Sequence, residues 1–351
     1  MIELGKISQK DFEEIFAGKL GYDRSEVSTE PSFGVDVSVV DLHNNFAMAI
    51  TSDPLSLIPS LGLEESAWLS VHLMANDMAT TGFAPMYAQF VLNLPPWLTD
   101  ADFKIYWNYI HKFCSDIKVA ITGGHTGRIE GQNSTISGGG TMITVAEKNK
   151  ILTSKNARAG DLILVTKQCA ISSTAILAMS FPQTVKSKLG LEIFHNASEL
   201  FYKTSSLQDA LIAVQFNQNT HVVSAMHDVT EGGVLGAVYE MAVASNNGVL
   251  IDNNKIPVGI TQQEICSLFS LDPRYCIGAG SMLITVKEGY EKEVIDALAK
   301  KNINCSVIGK MLDNKEGINI LDTNGEMSPL LYQKKDPYWN AFFNALKNNW
   351  K

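Results

Sequence analysis

The sequence predicts a two-domain protein of mixed helix and strand, α+β in its first half and α/β in its second. Three observations predict it. The chain has 351 residues, more than one ordinary core accommodates. Glu147 to Gly160 is rich in Lys, Asn, Ser and Arg and lacks apolar periodicity, which divides the chain into domains 1–150 and 151–351. Strand-like runs crowd the segment before this break. From Asp161 onward, strand and helix patterns alternate.

The elements follow in order. Asp11 to Leu20 has helical spacing, with Phe12, Ile15 and Phe16 on one face. Val37–Val40 and Phe46–Ile50 read as strands joined by a turn at His43-Asn44-Asn45. Ser66 to Thr81 reads as a mostly buried helix ended by Gly82 and Pro85. Met86 to Leu94 is strand-like. Thr99 caps an amphipathic helix reaching Cys114. Val119–Thr122 is a short strand leading into Gly123-Gly124, and Thr135–Val145 is a strand interrupted by Gly138-Gly139-Gly140. In the second half, Asp161–Val165 is a strand and Val234–Val243 a helix. Near the end, Trp339, Phe342, Phe343, Leu346 and Trp350 suit a helix packed by its apolar face.

Composition narrows the function classes. The chain is 45% hydrophobic and 19% charged, as folded globular proteins are. Its net charge is −9 without a basic cluster, which argues against nucleic acid as a partner. No apolar run is long enough for a membrane span. Met1 to Lys6 opens without the apolar core and cleavage site of a signal peptide, so a cytoplasmic location is expected. The five cysteines, Cys114, Cys169, Cys266, Cys276 and Cys305, contain no C-x-x-C pair. Free thiols are expected, and no zinc site, because no histidine stands near a cysteine pair at ligand spacing.

Four segments place short polar groups where chemistry can occur. They are Gly34–Ser38 before a strand, Thr51-Ser52-Asp53-Pro54 at a strand's exit, Ala75-Asn76-Asp77-Met78 within an apolar helix, and His227-Asp228-Val229-Thr230-Glu231-Gly232-Gly233 before a helix. Asp77 is the most telling. A carboxylate among residues that seek burial is costly unless paired, hydrogen-bonded or metal-bound. Asp36 and Asp53, each taken alone, also suit ordinary strand-end or turn positions. As a set, carboxylates without a matching basic cluster suit Mg²⁺, which takes oxygen ligands and bridges to substrate phosphates. Gly123-Gly124 and Gly232-Gly233 permit close backbone approach, and the helix after Gly233 offers N–H groups to an anion.

In this order the segments resemble the aminoimidazole ribonucleotide (AIR) synthetase superfamily, whose members include selenophosphate synthetase, thiamine-monophosphate kinase and the hydrogenase-maturation protein HypE. Thr122-Gly123-Gly124-His125-Thr126, Ala159-Gly160-Asp161, Gly278-Ala279-Gly280-Ser281 and Val307-Ile308-Gly309-Lys310 add to the match, which runs from about Ser32 to Met311. The Ala-Asn-Asp and His-Asp-Val-Thr-Glu-Gly-Gly segments look most like the HypE-related branch. The resemblance implies an AIR synthetase-like fold whose N-terminal mixed sheet dimerises, with ATP in a cleft between the domains. It implies Asp36, Asp53 and Asp77 as Mg²⁺ ligands. Asp53, Asp77, Gly123, Gly124, Thr126, Gly232 and Gly233 would lie along the nucleotide, and His125, His227 and Asp228 would face the reaction. The implied activity is phosphate activation of an amide or carbonyl oxygen on a small-molecule or protein-carried substrate, with a maturation protein as a further partner.

Each branch is matched incompletely. HypE proteins end in a cysteine, whereas this sequence ends Asn348-Asn349-Trp350-Lys351 and its last cysteine is Cys305. Selenophosphate synthetases carry a reactive residue near the N-terminus, where the first cysteine here is Cys114. The kinase's Asp-Asp pair is replaced by Val35-Asp36. Two other readings stand beside the HypE-like enzyme: AIR synthetase itself, a cyclo-ligase, and a non-catalytic nucleotide-binding maturation factor.

Overall fold

The first half is organised by strands that alternate small apolar and polar residues. The computed structural model describes residues 6–132, 134–218 and 221–351. Its first half contains β1 (Val27–Thr29), β2 (Ser38–Asp41), β3 (Phe46–Ser56), β4 (Tyr87–Leu94), β5 (Ala120–Arg128) and β6 (Ile136–Glu147), with helices α1 (Gln9–Phe16), α2 (Leu63–Ala79) and α3 (Asp100–Asp116). The strands form one sheet in the order β1-β2-β3-β6-β4-β5. Pairing is antiparallel except for β4 with β5, which are parallel because α3 crosses between them. As expected, Thr99 caps α3, its hydroxyl accepting from Asp102 N at 3.0 Å.

Three local expectations need correction. Thr51–Pro54 does not lie at a strand's exit but inside β3, which continues to Ser56. The short strand before Gly123-Gly124 is the start of β5, which runs through that pair to Arg128. Gly138–Gly140 do not interrupt β6. These glycines are there for packing: a Cβ on Gly140 would lie 2.6 Å from Met74 Cε of α2. The helix near the N-terminus forms as α1, but none of its residues is buried.

The second half contains β7 (Leu162–Thr166), β8 (Val223–Asp228), β9 (Gly248–Asp252), β10 (Met282–Val286), β11 (Cys305–Leu312), β12 (Ile318–Leu321) and β13 (Met327–Pro329). Helices α4 (Ile171–Ser180), α5 (Pro182–Glu199), α6 (Leu207–Ala213), α7 (Gly233–Ser245), α8 (Ile260–Leu268), α9 (Glu291–Ala299) and α10 (Pro337–Lys347) accompany them. The sheet order is β13-β12-β9-β11-β7-β10-β8, antiparallel except for β9 with β12. Both faces are covered, which is why β8 and β10 are buried at every residue. One core joins Ile163, Val165 and Leu283 to α4, α7 and α8. The other joins Leu164, Met226 and Ile284 to α6 and α9, and also takes in Ala79 of α2. The C-terminal helix packs as its pattern predicts, with Tyr338, Phe342 and Ala345 buried.

Helix α2 stitches the halves together. Trp68, His72 and Asn76 are spaced four apart, so they share one face. Trp68 Nε1 donates to Thr204 Oγ1 at 2.9 Å, and His72 Nδ1 lies 3.0 Å from Ser205 Oγ. Asn76 Nδ2 donates to Thr204 O at 2.9 Å, and Asn76 Oδ1 accepts from Ser206 N at 2.7 Å. Asn76 is fully buried, so its amide satisfies two backbone groups that water does not reach. Asn76→Ala orphans both. Denaturant unfolding is expected to show a loss of about 2–4 kcal/mol, against less than about 0.5 kcal/mol for a change on an exposed surface away from such contacts.

Candidate functional site

The turn before β2 brings Asp36 to the seam between the halves. Gly34 has φ +73°, and a Cβ there would meet the Glu240 carbonyl oxygen at 2.4 Å. Only glycine allows this turn to lie directly against α7. Asp53 comes from the interior of β3, and Asp77 from the last turn of α2, where its Oδ2 accepts from Thr51 Oγ1 at 2.9 Å. His227 and Asp228 end the buried strand β8. One ligand atom from each of Asp36, His227 and Asp228 lies within 4.8 Å of the other two.

His227 sits between two carboxylates. Its Nδ1 donates to Asp36 Oδ2 at 2.6 Å and its Nε2 to Glu240 Oε2 at 3.3 Å. A ring with two donating nitrogens is an imidazolium. Burial works against that charge, but Asp36 and Glu240 outweigh it and raise the His227 pKa to about 10. Glu240 is buried too, which alone would raise its pKa. Lys6 and His227 overcome this and hold it at about 2. Lys6 Nζ donates to Glu240 Oε2 at 2.9 Å, and Tyr332 Oη donates to Oε1 at 2.8 Å.

The remaining carboxylates repel one another. Burial pushes Asp77 well above its ordinary range, and Asp228, Asp53 and Asp36 push it further. Asp228 is raised to about 8, by burial and then by Asp36. Asp53 is raised to about 6, chiefly by burial, with Lys6 opposing. Carboxylates in this condition are short of a cation. The donor set fits Mg²⁺: the oxygens of Asp36, Asp53, Asp77 and Asp228 converge, whereas both nitrogens of His227 are already committed, which disfavours an ion that seeks nitrogen.

The other expected residues lie elsewhere. Gly123, Gly124, His125 and Thr126 are exposed on β5, at the edge of the first sheet. Asp53, Gly140, Phe90 and Gly124 are register partners across four strands, which separates Asp53 from Gly124 by roughly 14 Å. His125 is therefore not assembled with the carboxylates. Gly232 and Gly233 make the turn into α7 with φ of +85° and +64°. Gly232 N donates to Asp336 Oδ2 at 2.7 Å and Gly233 N to Thr230 O at 3.2 Å. A phosphate at this helix start would have to displace the Asp336 carboxylate. Sequence reasoning missed Glu240, Lys6, Tyr332 and Asp336. Glu240 was detectable by the argument used for Asp77, being the single charge in the apolar run Val234–Val243. The others had no such mark.

The pH dependence follows from these shifts. His227 titrates higher folded than unfolded, so its stabilisation is complete below about pH 6.5 and is lost as pH rises through about 10. Asp228 and Asp53 are raised acids, so they also favour the folded state less as pH climbs from about 4 towards 8 and 6 respectively. Urea unfolding of the metal-free protein is expected to show stability falling steadily from pH 6 to pH 10, with a shallower fall in Glu240→Gln, which removes one of His227's two carboxylates. A flat wild-type profile would remove the charged-histidine assignment.

Comparison with known proteins places the chain. The family described as AIR synthase related protein matches twice, its N-terminal domain over residues 34–146 and its C-terminal domain over residues 158–321. The selenide, water dikinase of Methanocaldococcus jannaschii is 30% identical over 221 residues, which are 60% of this chain and 61% of that relative, less than two thirds of its length. The selenide, water dikinase of Methanococcus maripaludis is 27% identical over 340 residues, covering 92% of this chain and 96% of the relative. The fold superposes on hydrogenase maturation protein HypE in complex with ATP with a TM-score of 0.70, at 19% identity over 95% of this chain and 97% of that one. No helix among the described residues is long and apolar enough to cross a membrane. With the two matched domains in order and the fold shared nearly end to end, the chain belongs to the AIR synthase related proteins, with its structural likeness on the HypE side.

Proposed function

We propose that this protein is an ATP- and Mg²⁺-dependent enzyme that transfers phosphate to a carbonyl or amide oxygen, in the manner of the HypE-related branch. The observation that carries this reading is the convergence of Asp36, Asp53 and Asp77 from the first half with Asp228 from the second. Asp36, Asp53, Asp77 and Asp228 would hold the metal, and a bound Mg²⁺ would supply the charge neutralisation that phosphoryl transfer requires. His227 orients Asp36 and keeps it deprotonated. Asp228, raised to about 8, is the carboxyl placed to hold a proton near neutral pH until a cation displaces it.

The exposed face of the first sheet suits a second copy of the chain. Tyr87 and Val91 of β4 are 40% and 46% exposed, and β5 is an open edge next to them. A homodimer built on this face would bring His125 and its neighbours to an enclosed surface, the place the nucleotide is expected to occupy.

The cysteines do not replace the terminal thiol of HypE. Cys114, Cys169, Cys266 and Cys276 are buried. Burial raises Cys114 and Cys305 to about 12 and Cys169 further. Cys276 packs against Ser173 Oγ at 3.3 Å and Cys266 Sγ at 3.9 Å, and the bond to Cys266, then burial, raises it well above its ordinary value. After incubation with ATP and a carbamoyl-donating partner protein, mass spectrometry is expected to find no carbamoyl or cyano adduct on any cysteine. An adduct would show that a thiol of this chain is the acceptor.

The metal assignment is tested by Asp53→Asn and Asp77→Asn, which keep shape and remove charge. Titration calorimetry in Mg²⁺ is expected to show ATP affinity falling at least about tenfold, or about 1.4 kcal/mol. Unchanged affinity in both variants would refute it.

A further inference from the structure

Lys6 is the one residue ahead of α1 that reaches the seam. Its backbone N–H donates to Glu231 Oε2 at 2.7 Å and its ammonium to Glu240 Oε2 at 2.9 Å. These two bonds fasten the start of the described chain across to the second half. Little else holds it there. The following helix α1 buries none of its residues, and Ile7, Ile15 and Phe16 are 45%, 53% and 41% exposed. A segment anchored by two polar contacts and no apolar packing can lift from its seat at small cost.

The ammonium's surroundings suggest what it is for. It lies close enough to Asp36, Asp228 and Asp53 to act on the charge of each, yet its hydrogen bond goes to Glu240. Glu240 does not depend on it. The Glu240 carboxylate also accepts from His227 Nε2 and Tyr332 Oη, so it stays paired if Lys6 leaves. The Lys6 side chain is 42% exposed, whereas that of Glu240 is 1% exposed. Lys6 is thus a cation on the open side of the carboxylate cluster, with a partner that can spare it.

Resting on the function proposed above, we propose that Lys6 is a phosphate-binding residue, its ammonium meeting the terminal phosphate of a nucleotide whose metal is held by Asp36, Asp53, Asp77 and Asp228. The carboxylates neutralise the metal, and Lys6 neutralises phosphate oxygens on the other side. The N-terminal segment thereby closes the site from outside once the triphosphate is in place. A lysine suits this role because its compact charge and rotatable donors follow a phosphate without demanding a fixed fork geometry.

The test compares the full-length wild type, Lys6→Met and Lys6→Arg by titration calorimetry in Mg²⁺, with a non-hydrolysable ATP analogue and with ADP. Thermal unfolding without ligand checks the fold, and it is expected to change little in Lys6→Met because Glu240 keeps two donors. Lys6→Met is expected to weaken the ATP analogue about tenfold or more while leaving ADP within about twofold, and Lys6→Arg to recover most of the loss. Equal losses for both nucleotides would assign Lys6 a structural role and overturn the proposal. Unchanged binding of the analogue would overturn it as well, while leaving the nucleotide site intact. A wild type that binds neither nucleotide would overturn the function proposed above and this inference with it.

Discussion

The seam between the two halves gathers more negative charge than it neutralises, and much of the surrounding architecture serves to make that tolerable. Asp36, Asp53, Asp77, Asp228 and Glu240 meet there, with His227 and Lys6 as the cations that face them. An unpaired buried carboxylate costs several kcal/mol, and the cost is avoided by taking up a proton or a cation. The chain does the first in part, through the raised Asp77 and Asp228. It remains ready for the second. A cluster maintained at this cost, at the junction of two domains, is better explained by a ligand than by stability, because apolar side chains of similar size would hold the seam together more cheaply.

That cluster exists only because several unrelated devices converge on it. The hydrogen bonds from Trp68, His72 and Asn76 fix α2 on the second half, and Asp77 is the residue after Asn76. The left-handed turn at Gly34 seats Asp36 against α7, where His227 and Glu240 receive it. The C-terminal segment reinforces the other side: Tyr332 bonds Glu240, Trp339 Nε1 donates to Glu231 Oε1 at 3.0 Å, and Asp336 accepts from Gly232 N. The segment that carries a reactive thiol in HypE is here a packed helix that braces the carboxylates. The likeness to that branch lies in the fold and the cluster, and the difference lies in where the activated group must come from.

Much of the fold was legible in the sequence because period-two and period-3.6 patterns survive wherever one face is buried. Helix α2 could be read from its apolar run, and α10 from its aromatic spacing. The patterns failed where glycine carried the structure. Gly123-Gly124 and Gly138–Gly140 look like breaks in a linear reading, yet they lie in continuous strands because a helix or a neighbouring backbone presses against them. The acidic members of the site were visible for a physical reason: a charge in an apolar run demands a partner, and Asp77 showed this plainly. Its counterpart Glu240 carried the same mark and went unread. Lys6, Tyr332 and Asp336 were not legible, because a polar residue in a polar segment acquires its meaning only from tertiary contacts. His125 was read as part of the reaction site by its place in a motif, but register across four strands sets it apart from the carboxylates within one chain.

The most direct measurement is the crystal structure of the protein grown with Mn²⁺ and a non-hydrolysable ATP analogue, using the anomalous signal of manganese to locate the ion. The account requires manganese between the carboxylates of the two halves, bonded to oxygens of Asp53 and Asp77 and of Asp36 or Asp228, with the nucleotide's phosphates on its open side. Nucleotide bound with its metal away from these residues, leaving Asp77 and Asp228 still protonated and unengaged, would contradict it.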